Sequence, residues 1–185
     1  IRSELPDTTT LIGFAGAPWT LATYMIEGGS SKAYAATKAM AYGAPERFSA
    51  LMALLVASVA QHLVAQIRAG ADAVMIFDSW AGSLDRDAQL AWSAAPLRAI
   101  VERIRQSEPQ TPIILFPRKA MFAARALAGI DPHVTLQVDY ANDLKAAAGL
   151  DFAALQGNLD PGRVLSGRAE VAEATRSVLA QVDRD

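Results

Sequence analysis

The chain has 185 residues, 52% of them hydrophobic, with 17 Lys and Arg against 19 Asp and Glu and no cysteine. That length and apolar content suit one globular domain with a sizeable core, and a formal charge of −2 without a dense basic run argues against nucleic acid as a partner. The missing cysteines exclude disulfides, thiolate zinc sites, iron–sulfur ligation and a cysteine nucleophile.

In chain order, the first predicted strand covers residues 11–16 and turns through glycine into a helix begun by Pro18, which carries the Tyr24 phenol. Ser30-Ser31 is read as opening a second helix that Gly43 closes. Pro45 begins a third, with Phe48, Leu51, Met52, Leu55, Val59 and Leu63 near helical spacing. A strand over 73–79 follows, then a helical stretch over 85–106 that Pro96 is expected to break into two pieces. Further strands are predicted at 112–118, 134–139 and 152–158, and Asp160-Pro161 reads as an N-cap with an N1 proline. The strands are near-continuous apolar runs, as expected of a parallel sheet covered on both faces. No apolar run reads as approaching the roughly 20 residues of a membrane span. Ile1-Arg2-Ser3-Glu4-Leu5-Pro6 lacks a secretory pattern, so the expectation is a soluble, cytoplasmic chain with no membrane partner.

Strand and helix alternate, which defines an α/β fold. No internal repeat or linker divides residues 1–185, so they read as a single, incomplete domain. Neither a G-x-G-x-x-G nor a G-x-x-x-x-G-K-[ST] segment is present, which removes support for the dinucleotide and P-loop forms of an open sheet. The remaining reading is a partial (β/α)8 TIM barrel, about five parallel strands with flanking helices, since five strands are too few to close one.

In either architecture chemistry collects where strands exit. The exits are Phe14-Ala15-Gly16-Ala17-Pro18-Trp19 with Tyr24, Phe77-Asp78-Ser79-Trp80, Phe116-Pro117-Arg118, Asp139-Tyr140 and Gln156-Gly157-Asn158-Leu159-Asp160. They make an aromatic mouth with few polar groups, suited to a large, flat, partly apolar ligand with hydrogen-bonding or anionic arms. Read singly, each residue has two meanings. Tyr24 is a pocket phenol or a half-buried core tyrosine; Ser79 is a ligand group or a turn hydroxyl bonded to backbone. Asp78, Asp139 and Asp160 read as helix caps, Arg118 as a carboxylate fork or a surface charge, and the aromatics as core or platform. His62 and His133 have no partner at metal-ligand spacing, and no nucleophile–base pair stands out.

Taken together, Gly13-Phe14-Ala15-Gly16-Ala17-Pro18-Trp19-Thr20-Leu21 through Tyr24, Glu27 and Gly28-Gly29, then Ile76-Phe77-Asp78-Ser79-Trp80-Ala81-Gly82, then Ala154-Leu155-Gln156-Gly157-Asn158-Leu159-Asp160-Pro161, closely resemble the uroporphyrinogen decarboxylase family in sequence, order and separation. The similarity covers roughly the middle half of a family member. It implies a commonly dimeric (β/α)8 barrel that removes four acetate carboxyls from uroporphyrinogen III to give coproporphyrinogen III, without cofactor or metal. It also implies roles: Tyr24 as the active-site phenol and a substrate contact, Ser79 as a substrate-carboxylate contact, and Phe14 and Phe77 as cleft walls.

The departures are as specific. The family's amino-terminal arginines, its pyrrole-binding aspartate and its late histidine segment have no counterpart in these residues. Lys119 stands where glycine is common, Val138-Asp139-Tyr140 where Leu-Asp-Trp is usual, and residues 142–151 read as short. The chain alone is therefore expected not to turn over. Two other readings compete with this one: a non-catalytic tetrapyrrole-binding module of the same fold, and a related cobalamin/thiol methyltransferase, whose usual thiolate zinc ligands this chain lacks.

Overall fold

A computed structural model describes residues 1–29 and 31–182. Five parallel strands form one sheet in the order β1-β2-β3-β4-β5: β1 Ile12–Gly16, β2 Ala73–Asp78, β3 Ile113–Pro117, β4 Val134–Gln137 and β5 Ala154–Gln156. Each predicted strand is present, somewhat shorter than its apolar run. Strand order equal to chain order, with a crossover each time, is the wall of a barrel rather than a doubly wound sheet.

Helices pack on one face of this wall. They are α1 Pro18–Glu27, α2 Ala35–Gly43, α3 Pro45–Arg68, α4 Arg86–Ala88, α5 Ala95–Arg105, α6 Met121–Leu127, α7 Leu144–Ala148 and α8 Arg168–Leu179. Side chains alternate across a strand, and Ala15, Val74, Ile76, Ile113, Leu115 and Val134 point to the helical layer, where they join Val59, Leu63, Leu97, Ile100 and Ile104 in the main core. A second core gathers Trp19, Phe48 and Trp92, with Trp19 stacked on Trp92 at 5.5 Å.

Four expectations need correction. The strands are not all covered on both faces: β2 and β3 are buried along most of their length, but Ile12 and Phe14 of β1 are 44% and 63% exposed on the concave face, which a closed barrel fills from its opposing strands. Pro96 does not break its helix. A π-helical segment, Gln89–Ala94, joins α4 to α5, and the wider turn absorbs the proline at the start of α5. The second helix opens at Ala35, later than Ser31, which instead accepts the Tyr34 N–H at 2.9 Å; Ser30 lies outside the described residues. Finally, α3 is long and apolar enough to cross a membrane by length and composition, its leucines and valines carrying an 18-residue stretch to a mean hydropathy of 1.8. Its Phe48, Met52, Leu55, Val59 and Leu63 are buried in the two cores, as their spacing requires.

Candidate active site

The concave face carries an aromatic row. In the β2–β3 register Phe77 lies opposite Phe116, and Gly16 of β1 lies opposite Phe77, leaving room for Phe14 beside it. The rings of Phe14 and Phe77 meet edge to face at 5.8 Å, and those of Phe77 and Phe116 at 6.2 Å. Offset and edge-to-face contacts are the favoured aromatic geometry, so the three rings form a continuous platform near the strand exits.

Tyr24 stands at the rim. Pro18 starts α1 immediately after β1, and Gly28 ends it in the left-handed region at φ 67°, with its N–H returned to the Tyr24 carbonyl. The Tyr24 side chain is 54% exposed and its ring meets Trp80 edge to face at 6.2 Å, so it is not a core tyrosine. Before Gly28, the Glu27 carboxylate accepts from both the N–H and the hydroxyl of buried Thr37, each at 2.9 Å, which ties α1 to α2 and lowers the Glu27 pKa.

Ser79 and Phe77 flank Asp78, which does not cap a helix. Asp78 is wholly buried; its Oδ1 accepts from Thr20 Oγ1 at 2.8 Å and its Oδ2 from Ser93 Oγ at 2.6 Å. Burial without a cationic partner outweighs those hydroxyl bonds and raises its pKa from 3.8 to about 6. Thr20 Oγ1 in turn accepts the Trp80 N–H at 3.3 Å, and Trp19 Nε1 donates to the Trp80 carbonyl at 3.1 Å. The turn holding Ser79 is thus pinned to α1 on both sides, while among the described residues the Ser79 hydroxyl makes no intramolecular bond. This polar tie is the part of the site that reading the sequence missed: Thr20 lies inside the motif but its partner is 58 residues away.

The next exits are joined in the same manner. Asp139 Oδ2 accepts the Lys119 N–H at 2.7 Å and Oδ1 the Ala141 N–H at 2.9 Å, so it closes two turns rather than capping a helix. Lys119 has φ 56°, a left-handed backbone that favours glycine. Asn158 Nδ2 donates to the Asn142 carbonyl at 2.8 Å, linking the β4 and β5 exits, and residues 142–151 hold only the five-residue α7. Asp160 caps a 3-10 turn, its Oδ1 accepting the Gly162 N–H. Arg118 is half-buried at the β3 exit, and His62 and His133 lie on the α3 surface and in the loop before β4. The structure thus brings Phe14 against Phe77 on the concave face and Tyr24 against Trp80, the residue after Ser79, with the buried Asp78 carboxyl between the Phe77 and Ser79 positions in the chain. No His, Asp or Glu cluster able to hold a metal occurs among the described residues.

Residues 1–185 match the family model described as uroporphyrinogen decarboxylase (URO-D). Curated proteins named uroporphyrinogen decarboxylase from Brucella canis, Brucella suis and Brucella melitensis are each 42% identical to it over 186 residues, an alignment covering 98% of this chain. The chain spans about half the length of these relatives, 54% of each. With a model match along its whole length and a five-stranded barrel wall to accompany it, the chain belongs to the uroporphyrinogen decarboxylase family.

Proposed function

We propose that this chain forms the substrate-facing wall of a uroporphyrinogen decarboxylase, which converts uroporphyrinogen III to coproporphyrinogen III with release of four CO2. The observation that carries the reading is the Phe14–Phe77–Phe116 row in a chain of this family, with Ser79 two residues beyond Phe77 and Tyr24 against Trp80. A tetrapyrrole offers a broad apolar surface for the ring edges and carboxylate arms for the rim hydroxyls.

The chemistry follows from the ring. Protonating a pyrrole carbon makes a cationic electron sink; the bond between the acetate methylene and its carboxyl carbon then breaks, its electron pair passes into the ring, and CO2 leaves. The methylene carbon then takes a proton to become methyl, and the ring carbon gives back the proton it first took, restoring the pyrrole, so that one proton in all replaces each departing carboxylate. Tyr24 is the catalytic phenol and a substrate contact, holding the reacting arm by its O–H; Ser79 binds a carboxylate, and Phe14 and Phe77 seat the macrocycle. The family resemblance supports a cytoplasmic homodimer that needs no cofactor or metal. It also supports inactivity of these 185 residues by themselves, since the arginines and aspartate of the family pattern are not among them.

Titrating the chain with uroporphyrin and following tryptophan fluorescence tests the platform, because Trp80 touches Tyr24. Saturable quenching that Phe77→Ala weakens supports the reading; no quenching contradicts it. Binding with no turnover in a barrel completed to the relatives' length would favour the non-catalytic tetrapyrrole-binding module instead.

A further inference from the structure

β1 ends the sheet, and its odd-numbered residues turn toward β2: Ala17 N–H donates to the Phe77 carbonyl at 2.9 Å, and the Leu11 carbonyl accepts from Asp72 at 2.8 Å. Phe14, of the other parity, presents its N–H and C=O to the outer edge. Neither is left open. Gln66, on α3, accepts the Phe14 N–H with Oε1 at 2.8 Å and donates from Nε2 to the Phe14 carbonyl at 3.0 Å. The primary amide thereby makes both bonds that a neighbouring strand would make at that residue.

The approach has a second, independent requirement. A Cβ on Gly13 would lie 2.5 Å from Gln66 Oε1 and 3.2 Å from Gln66 Cβ, so the amide reaches the strand only across a residue with no side chain. Gly13 is the first residue of the motif that leads to Tyr24, and Phe14 holds the outer end of the aromatic row.

We propose that Gln66 is a positioning residue that clasps the backbone of Phe14, closes the edge of β1 there, and so sets where the Phe14 ring stands against Phe77. The functional part rests on the proposed reading of Phe14 as a substrate platform. In a closed barrel the clasp interrupts any ladder beside β1 at this one residue, leaving the ring's seat to be set by a helix rather than by the adjoining strand.

Amide exchange on the isotopically labelled chain tests this. The Phe14 N–H is expected to exchange about tenfold more slowly than those of Ile12 and Gly16, which face the same edge without a partner among the described residues. Gln66→Met should erase that difference and weaken the Phe14–Phe77 ring contacts seen by NMR, and Gly13→Ala should do the same from the opposite side. Gln66→Glu, which keeps the acceptor and loses the donor, should retain the protection and serves if the other variants fail to fold. Equal exchange at Ile12, Phe14 and Gly16 in the wild type, or a Gln66→Met chain with Phe14 unchanged, would overturn the proposal. A protected Phe14 amide in a chain that does not bind uroporphyrin would leave the clasp standing and remove the porphyrinogen reading. Equal uroporphyrin binding by wild type and Gln66→Met would show that the clasp does not set the platform.

Discussion

Asp78 Oδ1 accepts a 2.8 Å hydrogen bond from Thr20 Oγ1, joining the exit of β2 to the first turn of α1 inside the protein. One helical turn beyond Thr20 stands Tyr24, and one residue beyond Asp78 stands Ser79. The bond therefore ties the stretch that carries Tyr24 to the one that carries Ser79, and it does so with an ionisable group that has no counter-charge.

That carboxyl makes stability depend on pH. Its folded pKa, about 6, is above the 3.8 of the unfolded group, so its contribution is fully present below 3.8 and is lost as pH rises toward 6 and beyond. The difference amounts to about 3 kcal/mol. Asp78→Asn keeps a short polar side chain that does not titrate. Urea unfolding at pH 4 and pH 7 should show the variant gaining on the wild type by up to that amount as pH rises; a constant difference would contradict the assignment. Glu27, Asp85 and Asp131, whose pKa values are lowered, are present in both chains and cancel.

Lys119 holds a left-handed backbone at φ 56°. Glycine adopts that conformation without the steric cost of a Cβ, which is about 1 kcal/mol. Lys119→Gly should stabilise the chain by up to about that amount, read as a higher urea midpoint at unchanged slope. A lower midpoint would mean that the lysine stem contributes more by packing than its backbone costs.

Arg105 clasps Asp131 with two bonds, Nε to Oδ2 at 2.8 Å and Nη2 to Oδ1 at 2.9 Å, while Nη1 donates to the Glu108 and Thr111 carbonyls. The guanidinium bonds lower the Asp131 pKa, so this contribution is present above the ordinary carboxylate range and is lost as pH falls through the lowered value. Arg105→Met should cost about 2 kcal/mol at pH 7 and less in acid. A cost that does not shrink on acidification would assign it to the carbonyl bonds alone.

The open concave face and the edges of β1 and β5 should make the 185-residue chain associate. Phe14→Lys puts a charge on that face and is expected to shift size-exclusion elution toward the monomer. A compact wild-type monomer would contradict this expectation.

The strands are legible in the sequence because each is a short apolar run bounded by glycine, proline or polar residues, and their order in the chain is their order in the sheet. Local chemistry is equally plain at Pro18, Pro45 and Asp160, where the residue and its backbone role are adjacent. Long-range pairings are not. Nothing near Asp78 marks Thr20 and Ser93 as its partners, and a glutamine at position 66 of an amphipathic helix reads as surface until the strand beside it is placed. Pro96 misleads because a π-turn, unlike a break, has no composition of its own. The exposed concave face is hidden for a different reason: an apolar strand residue looks the same whether or not the opposite wall of the barrel is there to cover it.

The most direct test is porphyrinogen turnover by a barrel completed to the length of its relatives, with products separated by carboxyl number. Uroporphyrinogen III should give coproporphyrinogen III, and Tyr24→Phe should lower kcat by about 10- to 100-fold, the loss of one hydrogen bond to a charged arm, while unfolding stability stays within about 0.5 kcal/mol. The 185-residue chain alone should give no product above background. An unchanged kcat in Tyr24→Phe would contradict the catalytic role proposed for Tyr24, and product formation by the chain alone would contradict the proposed dependence of this wall on the rest of the barrel.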